Sequence, residues 1–400
     1  MQAQFDVVIV GGGVVGLTLA LALAESTPLS IAVIDAATTP IVWDKNHYSP
    51  RVSAITLASK RIFQKLHVWP LILEKRASAF SRIQVWNQGR VNHSLQFDCA
   101  DIQCQQLGYI IENNALLTSL REKISTQSRV QVMTAELTAF SQDENHIYLT
   151  AKDGKSYQAK LAIGADGANS WLRTQADIEV EVIDYQQSAI VTTITTKKPH
   201  EKVARQSFTE GGPLGLLPLT EENVLSIVWS QPKARTNYLM NLSQDEFKQA
   251  LQFAMDDCLG EVITVDKLYA LPLKRQQAAS YLNQRVVLVG DAAHVVHPLV
   301  GQGVNMGLLD AASLTEVIAE ALAAQKDFSA HSVLRRYERW RRADNAIMQK
   351  GIDSIKTVLA DKQHLFSSFA FTMANHIPFA KKFFMRQAVG ARSNLPKLAV

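Results

Sequence analysis

The chain has 400 residues, 47% of them hydrophobic, and carries 41 Lys and Arg against 37 Asp and Glu for a net charge of +4. That length exceeds one small domain and predicts two domains sharing an interface around a sizeable core; no nucleic-acid partner is expected. Three cysteines, Cys99, Cys104 and Cys258, are an odd number that suits a reducing, cytoplasmic setting better than a disulfide scaffold. No metal is expected either, since Cys99 and Cys104 lack a second pair or a histidine cluster. A signal peptide and a membrane span are not expected, because no charged segment precedes a cleavable apolar stretch and no apolar run is long enough.

Residues 7–10 (Val-Val-Ile-Val) read as a strand, followed by Gly11-Gly12-Gly13-Val14-Val15-Gly16 and a helical run over residues 15–22. This strand, turn and helix form the context of a dinucleotide fingerprint. Gly11 permits the tight turn, Gly13 lets a pyrophosphate approach the backbone and Gly16 allows close helix-to-strand packing, while the helix N-terminus offers unpaired N–H groups. Residues 30–34 read as a second strand ending at Asp35, whose carboxylate suits ribose hydroxyls and argues against a 2′-phosphate. The motif alone does not separate FAD from NAD, and a glycine turn of another α/β unit is the plain alternative.

Next comes a loop with Trp43, Tyr48 and Pro50, then Arg51-Val52-Ser53-Ala54-Ile55 opening a helical stretch to about Leu66. Arg51 is either a phosphate or flavin-edge contact or a surface arginine. Residues 83–86 and 95–97 read as strands, and residues 113–125 as a helix with Leu116, Leu117 and Leu120 on one face. Strands are expected at 129–134, 147–151 and 157–163, with Asp153-Gly154 as a hairpin turn. The last leads into Gly164-Ala165-Asp166-Gly167-Ala168-Asn169-Ser170, which sets one carboxylate at the carboxyl edge of a sheet, where open α/β folds bind ligands. Its plain alternative is a turn with Ser170 as an N-cap.

Strand-like runs between residues 188 and 230 predict a separate sheet able to form a substrate wall, with Pro218 and Trp229 as lining or core and core the expected place for Trp229. A helix is expected over 243–259, with Asp256 and Asp257 at the surface. The last strand, 285–289, stops at Gly290-Asp291-Ala292-Ala293-His294-Val295-Val296-His297-Pro298-Leu299-Val300-Gly301-Gln302-Gly303-Val304-Asn305. Asp291 at a strand end suits ribityl hydroxyls. The Gly301–Gly303 loop exposes N–H groups at the start of a helix over about 304–324, whose positive end stabilises the charge that reduced flavin holds near N1 and O2. Pro298 rigidifies the approach. His294 and His297 read as structural histidines, with His297 also a pocket candidate.

From residue 331 onward there are 13 Lys and Arg against 4 Asp and Glu, a balance of +9 that leaves the first 330 residues at −5. Arg335, Arg336, Arg339, Arg341 and Arg342 fall on a helical pattern, and Lys381-Lys382 interrupts apolar stretches around Phe366, Phe379 and Phe384. A solvated basic helix is the plain reading. The sharper one is a surface that docks on anionic lipid or an acidic partner.

The three glycine- and aspartate-bearing segments, with Arg51 to Ile55, Glu112-Asn113 and Leu217-Pro218-Leu219, resemble the class A flavoprotein aromatic hydroxylases of the p-hydroxybenzoate hydroxylase fold, and within them the ubiquinone-biosynthesis hydroxylases. The likeness spans nearly the whole chain and is most specific around Asp291. Asp35 stands where many relatives have Glu, and Ile352-Asp353 follows the family only loosely. The resemblance implies an α/β fold: a Rossmann-like FAD-binding domain (1–75, 106–180, 284–330), an inserted β-sheet substrate domain (76–105, 181–283) and a C-terminal basic helical region (331–400).

It further implies FAD held by Gly11, Gly13, Val15, Gly16, Asp35, Arg51, Asn113, Asp166, Asp291, Pro298, Gly301, Gln302, Gly303, Val304 and Asn305. NAD(P)H is the implied transient electron donor, and it lacks a Rossmann turn of its own, because Gly211-Gly212-Pro213-Leu214-Gly215 has neither the spacing nor a preceding strand. Dioxygen then adds at flavin C4a, and the hydroperoxide hydroxylates the ring of a prenylated phenol, so no catalytic acid or base is assigned. The implied partners are that phenol and dioxygen, with peripheral contact to the inner face of the membrane or to a biosynthetic complex through the C-terminal region; a homo-oligomer is compatible. The alternatives are a sister flavoenzyme (isoprenoid-lipid reductase or epoxidase, or soluble-aromatic hydroxylase) and a non-catalytic FAD-bound scaffold.

Overall fold

A computed structural model of the chain describes residues 2–38, 42–296, 303–359, 390 and 394–400. The apolar run before the first glycine turn is a strand, Gln2–Val10, whose Val7, Val8 and Ile9 are fully buried. Burial on both faces is the mark of a central parallel strand. It pairs in parallel with Ile31–Asp35 on one side and Ser156–Gly164 on the other, and Val130–Thr134 and Val286–Leu288 extend the parallel set outward. Helices Val14–Ser26 and Gly303–Ala323 pack on each other within the core of this layer.

A nine-stranded sheet forms the second layer. Its long strand Val180–Thr196 pairs antiparallel with Val224–Pro232 and Tyr269–Ala278. Arg82–Asn87 and Leu95–Asp98 join the same sheet, because Arg82–Asn87 runs parallel to Val203–Thr209. Helices Lys233–Met240 and Gln244–Ala254 cover one face and close a core around Trp86, Ile190, Leu214, Trp229 and Phe247. The Gln244–Ala254 helix starts at a capping box of Ser243 and Glu246.

A three-stranded sheet, Val52–Thr56, Gly108–Glu112 and Ser78–Phe80, joins the two layers. Its alternation does this: Ile55 and Ile111 belong to the core of the first layer, whereas Phe80, Ile110, Val52 and Ala54 pack with Ala204, Leu217 and Leu219 of the second. Each face of one small sheet therefore seals a different core.

Several expectations are corrected here. The helix expected from Arg51 begins only at Leu57, capped by Thr56, because Val52–Thr56 pairs with a strand more than 50 residues away. The helix expected over 243–259 ends at Ala254, and an unpredicted one, Lys233–Met240, precedes it. Asp256 is not a plain surface group: it accepts the Trp86 indole N–H at 2.7 Å and the Gly89 amide at 2.9 Å. In the basic helix His331–Leu359, Arg335, Arg336, Arg339 and Arg342 are exposed as expected, but Arg341 is 1% exposed. His297, Pro298, Gly301 and Gln302, and the tail residues Phe366, Phe379, Lys381, Lys382, Phe384 and Arg386, lie outside the described residues.

Candidate functional site

The three glycine motifs are far apart in sequence and adjacent in space because they end three neighbouring parallel strands. Register aligns Val10 with Gly164 and Gly164 with Leu288. The ladders continue into the loops: Gly11 donates to the Ile34 carbonyl at 2.8 Å, Ala165 to that of Val10 at 2.8 Å and Val289 to that of Gly164 at 2.9 Å. Asp35 ends the next strand over, so four motif positions share one carboxyl edge, where open α/β sheets bind ligands.

Each glycine of the first turn can be tested by the Cβ it lacks. Gly11 sits at φ +108°, and a Cβ there would lie 2.4 Å from the Ala165 carbonyl oxygen. At Gly16 it would lie 2.0 Å from the Gly11 oxygen, so this residue lets the helix meet the strand turn. Gly12 was given no role from sequence, yet its amide donates to Asp35 Oδ2 at 3.0 Å and a Cβ would lie 2.5 Å from that atom. Gly13 and Gly303 differ, since a Cβ on either meets no atom of the described residues within 4 Å. Those two begin helices, Val14–Ser26 and Gly303–Ala323. A bare helix start facing open space is the arrangement that anion-binding turns use.

The carboxylates differ in what they already hold. Asp35 accepts the Gly12 amide on Oδ2 and the Ala37 amide at 2.9 Å on Oδ1, and each oxygen keeps a lone pair for a hydroxyl. Asp166 accepts the Leu172 amide at 3.1 Å on Oδ2, while its buried Oδ1 has no partner among the described residues. Burial pushes its carboxyl pKa up against the hydrogen bonds from Ser170 and Leu172. Ser170 does cap the short helix Trp171–Gln175, so the capping alternative holds for Ser170 and only half of it for Asp166. Asp291 lies in the 3-10 turn Gly290–Ala292 just past the strand end and presents an exposed side chain, yet the surrounding protein is dense enough to push its pKa up, with His294 and Arg51 opposing. A buried carboxylate oxygen such as Asp166 Oδ1 is costly to ionise without a donor, and such groups gather at binding sites.

Other residues hold the loops in place. Val15 wedges against the third motif: a Cβ on Gly290 would come within 3.3 Å of it and one on Gly307 within 2.6 Å. Arg173, 6% exposed, donates to the Ala292 carbonyl at 2.9 Å and the Ala168 carbonyl at 3.0 Å, which ties the Asp291 turn to the Asp166 loop. Arg51 is exposed, and its carbonyl accepts the Asn113 amide at 3.0 Å; the Asn113 side chain accepts from Ser53 at 2.7 Å. Asn305 is a correction. Its side chain is 2% exposed and stitches the Val52–Thr56 strand to the Gly303–Ala323 helix, accepting from the Thr56 amide at 3.0 Å and Ser59 at 2.7 Å and donating to the Ala54 carbonyl at 2.7 Å. That leaves its side chain fully engaged within the protein.

On the large sheet Trp229 takes the core place expected of it, and Pro218 lies on the same side. Strand alternation puts Leu214, Leu216, Leu225, Ile227 and Trp229 on the helix-covered face, where Trp229 packs edge-on to Phe247 with ring centroids 6.3 Å apart. Pro218, paired with Leu225 and in step with Leu216, shares that side. The opposite face carries Gly215, Leu217, Ser226 and Val228. Ser226 is fully buried there, and its hydroxyl has no partner. A strand does precede the Gly211-Gly212 segment, Val203–Thr209, contrary to expectation, but the segment turns a hairpin into the strand Gly212–Pro218 and not into the helix that a nucleotide turn needs.

The unpartnered Asp166 oxygen, the approaches left open by the described residues at Gly13 and Gly303, and the exposed Asp291 at the strand end together fit a dinucleotide laid along the carboxyl edge from Asp35 to the Gly303 helix. The known proteins agree. Residues 4–349 match the FAD binding domain family. The chain is 34% identical to 3-demethoxyubiquinol 3-hydroxylase of Escherichia coli (strain K12), over 87% of this chain and 88% of that one. It is 33% identical to ubiquinone hydroxylase UbiL of Rhodospirillum rubrum, over 96% of this chain and 89% of that one. The crystal structure of p-nitrophenol 4-monooxygenase from Pseudomonas putida DLL-E4 superposes with a TM-score of 0.80, covering 98% of this chain and 100% of that one at 19% identity, which shows a common fold. With an FAD-binding family matched over most of its length and hydroxylase relatives over nearly all of it, the chain belongs to the FAD-dependent hydroxylases of ubiquinone biosynthesis.

Proposed function

We propose that this enzyme hydroxylates the aromatic ring of a prenylated phenol on the route to ubiquinone, with NAD(P)H as the transient electron donor. The observation that carries this reading is the end-to-end likeness to two ubiquinone hydroxylases on a chain whose three motif loops converge on one sheet edge. The overall balance is phenol, dioxygen, NAD(P)H and a proton giving hydroxylated phenol, water and NAD(P)+. Bound FAD supplies the two-electron exchange with the nicotinamide and the activation of dioxygen.

The chain's own residues bind, orient and shield. Gly13 admits the pyrophosphate to the N-terminus of the Val14–Ser26 helix, and Asp35 accepts ribose hydroxyls. Asp291 and the free oxygen of Asp166 accept from the remaining hydroxyls of the cofactor, and Arg51 stands beside Asp291 as a counter-charge. Amides at the start of the Gly303–Ala323 helix stabilise negative charge on the reduced ring. The substrate wall is the face of the large sheet that carries Gly215, Ser226 and Val228, where an apolar surface keeps water from the reacting centre. The basic C-terminal region brings the enzyme to anionic lipid or an acidic partner where a greasy phenol resides; among the described residues no helix is long and apolar enough to cross a membrane.

The test uses purified holoenzyme, NADH or NADPH and a short-chain prenylphenol under labelled dioxygen. Substrate-dependent oxygen uptake with one labelled oxygen in the product is the expected result. Oxygen uptake that yields only hydrogen peroxide across a panel of prenylphenols, or reduction of the substrate without oxygen, would overturn the reading.

A further inference from the structure

We propose that Asp310 and Arg341, on the two helices that follow the third motif, are positioning residues that hold the Gly290–His294 turn and thereby aim Asp291 at the cofactor. The proposal rests on the reading that Asp291 contacts FAD.

One buried carboxylate grips the turn at both ends. Asp310, 0% exposed, accepts the Gly290 amide at 3.0 Å and His294 Nε2 at 2.5 Å on the same oxygen, Oδ2. Asp291 lies between those two anchor points. Gly290 sits at φ +59°, in the left-handed region, so its amide direction depends on a conformation that needs holding. The other oxygen, Oδ1, accepts Arg341 Nε at 2.7 Å, which stops the carboxylate from rotating. Arg341 is itself fixed, donating through Nη1 to Asp344 at 2.8 Å and through Nη2 to Asn345 Oδ1 at 2.8 Å. Asn345 donates to the Tyr281 hydroxyl at 3.3 Å, and Tyr337 donates to the Leu288 carbonyl at 2.8 Å in the strand that delivers the turn.

Stability alone does not explain this cluster. A buried ion pair gains little over well-packed apolar side chains of similar volume, because desolvation offsets most of the attraction. Apolar side chains would dock the His331–Leu359 helix as well, but they could not accept the Gly290 and His294 N–H groups. What the pair adds is a fixed acceptor behind the turn. The sequence hid it, since Asp310 follows His294 by 16 residues and Arg341 reads as one more cation on a basic helix.

The variants are Arg341→Met, Arg341→Lys and Asp310→Asn, with Asp291→Ala as the control on the underlying reading. FAD affinity is read from quenching of flavin fluorescence on titrating apoprotein. The flavin midpoint potential is read on the loaded protein, and amide exchange of residues 286–296 on the apoprotein. Arg341→Met and Asp310→Asn should weaken FAD binding at least tenfold, shift the potential and speed exchange of the turn, while Arg341→Lys recovers most of the affinity. Should Arg341→Met not fold, His294→Phe removes one grip on the turn while Asp310 keeps Arg341 and the Gly290 amide, and should weaken FAD several-fold. Unchanged FAD affinity and potential in folded Arg341→Met or His294→Phe, beside a large loss in Asp291→Ala, would overturn the positioning role. Wild-type FAD affinity in Asp291→Ala would instead overturn the site reading, leaving apoprotein exchange to judge whether Asp310 and Arg341 hold the turn.

Discussion

Gly13→Val separates binding from folding more sharply than any other change in the first turn. Gly13 has φ −75° and ψ −179°, extended backbone that any residue adopts, and its missing Cβ faces no atom of the described residues within 4 Å. The fold therefore loses only a modest N-cap preference, about 1 kcal/mol. The ligand loses more. A branched side chain over the helix start displaces the pyrophosphate from about two charge-assisted hydrogen bonds of roughly 1.5–3 kcal/mol each, which is about two to four decades in Kd. Gly16→Val is the counterpart: with a Cβ 2.0 Å from the Gly11 oxygen, it should cost about 3 kcal/mol or more of stability. The assay is the visible spectrum and FAD-to-protein ratio of each purified variant beside its thermal unfolding without added FAD. The expected pattern is a colourless, well-folded Gly13→Val and a poorly folded Gly16→Val. A yellow, stoichiometrically loaded Gly13→Val would refute the reasoning.

Three further outcomes are expected. Gly303→Val, with no atom of the described residues to strike, should push the ring away from the helix start and lower the midpoint potential by about 10–20 mV, the equivalent of 0.5–1 kcal/mol for a two-electron couple; an unchanged potential in the loaded variant speaks against that placement. Burial pushes the Asp310 pKa up, but His294 and Arg341 outweigh it and bring it down to about 2 from the ordinary 3.8. That depressed acid contributes about 2 kcal/mol above pH 4, lost as pH falls toward 2, so the stability gap between wild type and Asp310→Asn should begin to close below pH 4 in urea unfolding series; a gap that stays constant or widens contradicts it. Anionic vesicles should co-sediment with the intact chain at low salt and less with Lys381→Glu/Lys382→Glu/Arg386→Glu, and equal binding by both removes the lipid role.

The features that short-range chemistry dictates were legible before any coordinates. The strand, glycine turn and helix around Gly11 to Gly16, the strand ending at Asp35 and the hairpin at Asp153-Gly154 each follow from local rules of apolar periodicity and left-handed backbone, and each stands where those rules put it. The dinucleotide site was legible too, because motif glycines and aspartates report what a phosphate or ribose requires of the backbone beside it, and the likeness of the three segments to a known family narrowed it to FAD. What the sequence left open depended on partners remote along the chain. Strand alternation says that Trp229 and Val228 face opposite sides of a sheet, but only the packing of helices 233–240 and 244–254 decides which side they cover, and it puts Trp229 and Pro218 on the covered side. Val52–Thr56 is short enough to suit helix or strand, and its pairing with Gly108–Glu112 chose strand. Arg341 carries the same charge as its exposed neighbours. Its position behind the Asp291 turn comes from how one long helix docks on another, a geometry set by the summed packing of the core and not written in any local run of residues.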